Sequence, residues 1–413
     1  MASPIEEIKA RLDVVDVIGQ HVPLKRVGRN YQALCPFHNE RTPSFVVFPE
    51  TGTWRCFGCG AGGDVFHFVM QRQGLTFAEA LQVLAAQAGV TLPSHEQQRQ
   101  RADEHDRLYE VNEAAARYFR AMLMAPAGAA ARAYLERRGV DGPTAERFGL
   151  GYAPEPRGAI AAHLQERGFS VDALVAAGLA GRDERGVLFE RFRGRLIFPI
   201  RDARGRVVGF GARALGDEQP KYLNSPQTPV FEKGAVLYGL DLARESIRRG
   251  GQAVIVEGYM DVLAAHQHGF TNVVASLGTS VTPRQLELLR RTASEVCLAL
   301  DADAAGQLAT LRGLEVAREA LADDVVPVPD LGAIRRLGTV AAADPKQLER
   351  LFHFESVARV AIKAVVLPDG RDPDDVIRAD PERWRQLIDS ARPFMDFLLE
   401  TLVRQRRPET AQA

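Results

Sequence analysis

Cysteine is scarce in this chain, with four in 413 residues. That is too few for a disulfide framework and leaves the thiols for metal ligation or burial in a reducing compartment. No run approaches the ~18 apolar residues that a membrane span requires. The first residues, MASPIEEIKARLDVVDVIG, carry acids where a secretory signal has a basic stretch, so a cytoplasmic protein is expected. Neither charge sign is in excess. The formal net charge of −1 argues neither for nor against a polyanionic partner, because patches rather than totals steer nucleic acid. No internal repeat is evident.

What is present is enough chain for two to four domains, since single cores stop growing well below this length. Residues 1 to about 95 read as a small domain with a Gly/Pro/aromatic-rich centre followed by two helices. Residues 96–110, SHEQQRQRADEHDR and its surroundings, have almost no apolar content and read as a linker or the start of a long solvated helix. From 111 to 250 helices give way to RLIFPIRDARGRVVGFGAR, two strands around a DARG turn. From 251 to 380 continuous apolar strands alternate with amphipathic helices, the pattern of a parallel sheet covered on both faces. Residues 381–413 read as C-terminal helices. The expected fold is therefore multidomain α/β: a small β domain, a mixed α/β domain, a parallel-sheet domain and short terminal helices.

Three of the four cysteines crowd together. Cys35-Pro-Phe-His38 and Cys56-Phe-Gly-Cys59 form two pairs with 17 residues between them, the spacing of a closed tetrahedral zinc site. The intervening SFVVFPETGTWRC reads as a hairpin, as in a zinc ribbon. Cations and aromatics interleave around it, the combination used to bind single strands. Phe37 and Phe57, lying between ligands, read as core, whereas Trp54 and Arg55 are the candidates for nucleic-acid contact. Cys297, alone in an apolar strand, reads as a buried thiol.

Acids recur at strand ends, where open α/β sheets gather their ligands. Glu257 ends AVIVEG and Asp261 lies one helical turn on. Asp301 and Asp303 end EVCLALDAD. Asp372 and Asp374 follow a third strand. Such carboxylates suit magnesium or manganese, which would clamp an in-line phosphoryl displacement, although an acid after a strand is often only the cap of the next helix. Between residues 182 and 213 nine arginines, Arg193, Arg195 and Arg201 among them, stand against four acids. That cluster suits phosphates, and a solvated face is the competing reading for part of it.

The segments VEGYMDVLAAHQHGFTNVVASLGTS, LALDADAAG and LPDGRDPDD resemble the Toprim domain, a Rossmann-like parallel sheet. CPFH…CFGCGAGGD, ERFGLGYAP, RFRGRLIFPIRDARGRVVGFGAR and PKYLNSPQTPVFEKGAVLYGL precede or accompany them in the order found in DnaG-type bacterial primases. The resemblance covers residues 1 to about 320 and 360 to 413. It implies a nucleotidyltransferase that makes short RNA primers from ribonucleoside triphosphates on single-stranded DNA, passing through an RNA–DNA hybrid at the replication fork, in the nucleoid. It implies one structural zinc and catalytic magnesium or manganese. Glu257 takes the place of the family's essential glutamate, Asp301 and Asp303 of its DxD pair, and Asp372 with Asp374 of a further acidic pair. Arg147, Lys221 and Lys233 match positions associated with nucleotide or template. The chain departs from the family in an insertion at about 324–357, in Ala302 within the DxD, and in stopping before the helical region that contacts the replicative helicase, so priming without helicase stimulation is expected. A non-catalytic zinc-plus-Toprim recombination mediator and a Toprim topoisomerase or nuclease are the rival readings. The first would not need three acidic strand ends, and the second would need a tyrosine nucleophile in a gating domain.

Overall fold

A computed structural model describes residues 4–278, 281–299, 360–368, 371–394 and 396, and the backbone of 322–329 and 352–358. The chain divides into two compact units, Met1–Arg101 and Ala102–Ala413. Among the described residues no helix is long and apolar enough to cross a membrane.

The first unit opens with helices α1 (Pro4–Arg11) and α2 (Val14–Gly19). An antiparallel meander follows, β1 (Lys25–Val27), β2 (Asn30–Ala33), β3 (Phe45–Phe48), β4 (Thr53–Cys56) and β5 (Gly62–Gly63), paired in sequence order. Helices α3 (Val65–Gln73) and α4 (Phe77–Ala88) close it. Each closing helix starts where its sequence supplies a cap. The Asp64 side chain accepts the His67 N–H, and Thr76 and Glu79 form a reciprocal capping box. Every residue of β3, Phe-Val-Val-Phe, is buried. Phe45, Val47, Trp54, Phe66, Phe68 and Leu84 share one core with Ile8 and Ile18.

Helix α5 (His95–Met124) runs through the segment 96–110. Among the described side chains it buries none before Leu108 and then Val111, Ala115 and Phe119, and the polar stretch before Leu108 is helix rather than coil. After α6 (Ala129–Arg137) and α7 (Gly142–Arg147) comes an antiparallel sheet. It contains β6 (Gly151–Ala153), β9 (Arg195–Arg201), β10 (Val207–Ala214) and β11 (Tyr222–Asn224) in the order β11-β10-β9-β6. Helices α8 (Ala159–Glu166) and α9 (Val171–Ala176) and the small hairpin β7 (Ala180–Arg182) with β8 (Leu188–Glu190) lie between β6 and β9 in sequence. The β9–β10 hairpin turns at Asp202–Arg206, as the DARG signal predicts.

Helix α10 (Leu240–Gly250) leads into β12 (Gln252–Val256), α11 (Tyr259–Gln267), β13 (Val273–Ala275), α12 (Pro283–Arg290), β14 (Glu295–Leu298) and β17 (Ala361–Ala364). These strands pair parallel in the order β13-β12-β14-β17, with β18 (Arg392–Pro393) antiparallel at the edge. Period-2 alternation divides β12 between two cores. Val254 and Val256 pack with α11, Trp384 and the β9 residues Leu196, Phe198 and Ile200, whereas Ala253 and Ile255 pack with α10 and α12. The parallel-sheet and antiparallel-sheet domains thus share a core. Backbone segments β15 (Ala322–Pro329) and β16 (Phe352–Ala358) form a separate antiparallel ladder from the two ends of the expected insertion. Helices α13 (Pro373–Ala379) and α14 (Pro381–Asp389) follow β17.

His266 on α11 is 3% exposed, donates from Nε2 to the Val273 carbonyl at 2.8 Å, and meets the Phe148 ring at 5.1 Å. Burial lowers its pKa from 6.5 to about 4. The folded chain therefore binds fewer protons here than the unfolded chain, and the stabilisation is full above pH 6.5 and lost as pH falls toward 4. At 1.36 kcal/mol per unit, that loss is roughly 2 kcal/mol by pH 5. His266→Gln keeps a donor for Val273 and removes the titration. The fall in unfolding free energy between pH 7 and pH 5, read from urea titrations, should shrink in the variant by about that amount, and an unchanged fall would remove His266 from the account.

Candidate metal centres and nucleic-acid interface

In the first unit the β3–β4 hairpin brings Phe45 opposite Cys56, and the turns on either side deliver the remaining ligands. Donor atoms of Cys35, His38, Cys56 and Cys59 all lie within 4.8 Å of one another. Cys35 Sγ is 4.0 Å from Cys59 Sγ, and Cys56 Sγ is 3.7 Å from His38 Nδ1. A zinc ion with Zn–S bonds of about 2.3 Å spaces two thiolates roughly 3.8 Å apart, so the donor set fits tetrahedral zinc. Burial pushes the Cys35 thiol up to about 12, with Cys56 nearby adding to it. Burial raises Cys56 as well, but the Ser44 hydroxyl and the Cys59 N–H bring it below its ordinary value. A divalent cation would hold all the thiols as thiolates. Gly58 is required here for space, because a Cβ would stand 2.7 Å from His38 Nε2.

Trp54 corrects the sequence reading. It is 1% exposed, stacks on Phe45 at 5.1 Å, meets Phe37 and Phe68, and donates its indole N–H to the Asp64 carbonyl. It is the centre of the ribbon core and has no face to offer a base. Phe37 packs against the same core, as expected, whereas Phe57 is 37% exposed, with the Arg55 guanidinium 5.9 Å from its ring. Arg55 and Phe57 form the cation–aromatic pair that Trp54 was expected to supply.

In the second unit Glu257 follows the last residue of β12. The chain leaves β12 for β13 on one side and returns to β14 on the other, so Glu257 stands where strand order reverses, the place at which open sheets collect ligands. Beside it Leu277 holds φ +68 and Gly278 donates its N–H to the Glu257 carbonyl. A leucine in the left-handed region is strained and marks a loop whose shape the surroundings impose. Asp261 caps α11 by accepting the Gly258 N–H at 2.9 Å, and its other oxygen accepts the Asp374 N–H at 3.1 Å. Burial lifts the Asp261 carboxyl to about 8, with Asp372 and Asp374 adding to the rise.

Asp372 caps α13 by accepting the Asp375 N–H. Its carboxylate, with those of Asp374 and Asp375, forms a group within 4.8 Å that could hold an ion. Asp374 is 1% exposed and ion-paired with Arg138 and, at 3.9 Å, with Arg378. Burial pushes its carboxyl up against the pull of these two arginines. Among the described residues Asp374 Oδ1 is buried without a hydrogen-bond partner, and a cation would satisfy it. Crowded, partly unsatisfied carboxylates at strand ends fit a divalent ion. Asp301 and Asp303 lie outside the described residues.

Gly211 on β10 is also required for space, since a Cβ there would sit 2.2 Å from the Tyr259 hydroxyl. Tyr259 begins α11, stacks on Phe198 and donates to Asn224 Oδ1 at 2.7 Å. The antiparallel sheet is thereby tied to the helix that follows Glu257.

The basic residues separate by burial. Arg193 and Lys221 are exposed. Arg195 is 7% exposed and donates to the Pro220 carbonyl at 2.8 Å, so it is a structural tie and not a phosphate contact, against the sequence reading. Arg201 is divided between the Gly205 carbonyl at 2.7 Å and Glu113 at 3.5 Å. With Arg147, Tyr238 and Asp241 it lines a small cleft of about 10 Å³. Burial raises Asp241 and lowers Lys233 from their ordinary values.

Sequence reasoning missed Arg138 and Gln285. Gln285 is fully buried, and its Nε2 donates to the carbonyls of Lys233, Val236 and Ser276 at 3.4, 2.9 and 3.4 Å, anchoring the Lys233 turn to α12. Arg138 stands in no motif of spacing, whereas TPRQ carries the capping box that Gln285 forms with Thr282, and only its contacts to Lys233 and Val236 are long-range.

With this geometry in place, relatives can be compared. The CHC2 zinc finger family matches residues 1–100, the DNA primase catalytic core N-terminal domain 118–244, and a Toprim-like family 254–332. A DNA primase of Clostridium acetobutylicum is 39% identical over 95% of this chain and 59% of its own length. One from Halalkalibacterium halodurans is 43% identical over 96% of this chain and 61% of its own. The chain therefore spans about three-fifths of the length of these curated relatives. The zinc-binding and RNA polymerase domains of Aquifex aeolicus primase match with 32% identity and a TM-score of 0.55, over 95% of this chain and 86% of that one. A DnaG primase catalytic domain bound to single-stranded DNA matches with 33% identity and a TM-score of 0.60, over 75% and 89%. Zinc ribbon, catalytic core and Toprim sheet, in this order and at this identity, place the chain in the DnaG-type family of bacterial primases.

Proposed function

We propose that this chain synthesises short RNA primers from ribonucleoside triphosphates on single-stranded DNA. The observation that carries the reading is Glu257 at the switch point of the parallel sheet, with the carboxylates of Asp261, Asp372 and Asp374 gathered by hydrogen bonds on the adjoining α11 and α13. Glu257, Asp261, Asp301 and Asp303, together with Asp372 and Asp374, would hold magnesium or manganese. Such an ion supplies the positive charge that neutralises triphosphate oxygens during nucleotidyl transfer. Arg193 and Lys221 would meet template phosphates, and Arg147 and Lys233 those of template or nucleotide. Arg55 and Phe57 would pair a phosphate contact with base stacking on the zinc ribbon.

The chain should incorporate ribonucleotides into alkali-labile product complementary to the template, only when magnesium or manganese is supplied. Its affinity for single-stranded DNA should fall steeply with salt. Because each phosphate contact contributes about −0.7 to the slope of log K against log salt, Arg193→Ala with Lys221→Ala should flatten it by roughly 1.4. An unchanged slope would assign both residues to the solvated face.

A further inference from the structure

The zinc ribbon contains a carboxylate that belongs to no ligand pair. Glu40 lies two residues beyond His38, with its side chain 11% exposed. One oxygen accepts the N–H of Cys35 at 2.6 Å and of Ser44 at 3.1 Å. The other accepts the Ser44 hydroxyl and faces His38 Nε2 at 3.3 Å. The Ser44 oxygen in turn lies 3.2 Å from Cys56 Sγ. Glu40 thus reaches the backbone of one ligand, the ring of a second and, through Ser44, the sulfur of a third.

We propose that Glu40 is the positioning residue of the zinc centre, its carboxylate holding the His38 ring with Nε2–H turned away from the metal and Nδ1 turned toward it. The spacing supports this polarity. His38 Nδ1 is 3.7 Å from Cys56 Sγ, as two ligands on one tetrahedral ion are, while Nε2 points to the carboxylate. A ring 29% exposed has room to turn and offer either nitrogen, and a fixed acceptor on one side removes that freedom. A carboxylate receiving the second ring N–H also makes the imidazole a stronger donor to the metal. Gly58 gives independent support. A Cβ there would come within 2.7 Å of Nε2 and 2.9 Å of Ser44 Oγ, so a glycine just before the last cysteine leaves this hydrogen-bonded group its space.

The proposal rests on the ribbon holding zinc, so metal analysis of the full wild-type chain comes first. A chain without zinc would overturn that reading and this proposal with it. With zinc bound, Glu40→Gln should release it to a metallochromic chelator about 10- to 100-fold faster than wild type. Release at the wild-type rate from a folded variant would overturn the proposal. Selective ¹⁵N labelling of the nine histidines in the wild-type chain provides a readout that does not depend on the variant folding. His38 should show a metal-bound Nδ1 and a protonated, slowly exchanging Nε2, and the reverse assignment would overturn it.

Discussion

Glu257→Gln is expected to lower ribonucleotide incorporation by about a thousandfold or more, since losing an anionic ligand to a catalytic ion costs several kcal/mol of barrier stabilisation. The substitution preserves the shape of the side chain and removes its charge. The fold has little reason to respond. Val254, Ile255 and Val256, which precede Glu257 on β12, supply the packing, while Glu257 itself is only half-buried. The melting temperature should therefore remain within a few degrees of wild type, as for substitutions outside the core. Full incorporation by the variant would show that Glu257 does not hold the catalytic ion, and a collapsed melting curve would make it structural.

Cys56→Ser with Cys59→Ser should abolish zinc binding and unfold the first unit. Structural zinc contributes on the order of 10–16 kcal/mol of apparent binding free energy in small zinc domains, more than a core of this size supplies alone. The second unit should stay folded. The core of the first is assembled from residues between Ile8 and Val90, and those of the second from residues between Leu108 and Phe394, with no buried member in common. Calorimetry should show the transition of the first unit disappear while the other persists, and priming should fall with it. Unchanged zinc content and unchanged priming would refute the ligand assignment.

The clustering of the four zinc-ligand candidates and the place of Glu257 at a strand end were legible because both are matters of spacing. Two C-x2 pairs flanking a hairpin, and an acid one residue beyond an apolar strand, carry their geometry in the chain itself. What spacing conceals is the direction of a side chain. Trp54 and Arg55 are neighbours on β4, and the pleat that exposes one buries the other, so cation–aromatic composition alone could not assign the base contact. Arg193 and Arg195 are separated by Gly194 at φ +60, which breaks the two-residue alternation. One reaches solvent and the other a carbonyl at Pro220. The polar stretch before Leu108 reads from composition as a linker or the start of a long solvated helix, and it is the latter, opening a helix whose buried face starts later. Arg138 acts through Asp374, a partner brought close by folding across 236 positions, and no local pattern marks it, whereas Glu40 meets partners within five residues and the capping box of Thr282 and Gln285 is written in TPRQ, although the Gln285 contacts to Lys233 and Val236 are not.

The most direct test of the account is one incubation of the intact chain with unprimed single-stranded DNA, the four ribonucleoside triphosphates and magnesium, with a chelated control. The account predicts short, template-complementary RNA that disappears on chelation and in Glu257→Gln, with the DNA strand intact. Cleavage of the DNA, or tight DNA binding with no RNA made under any divalent metal, would contradict it.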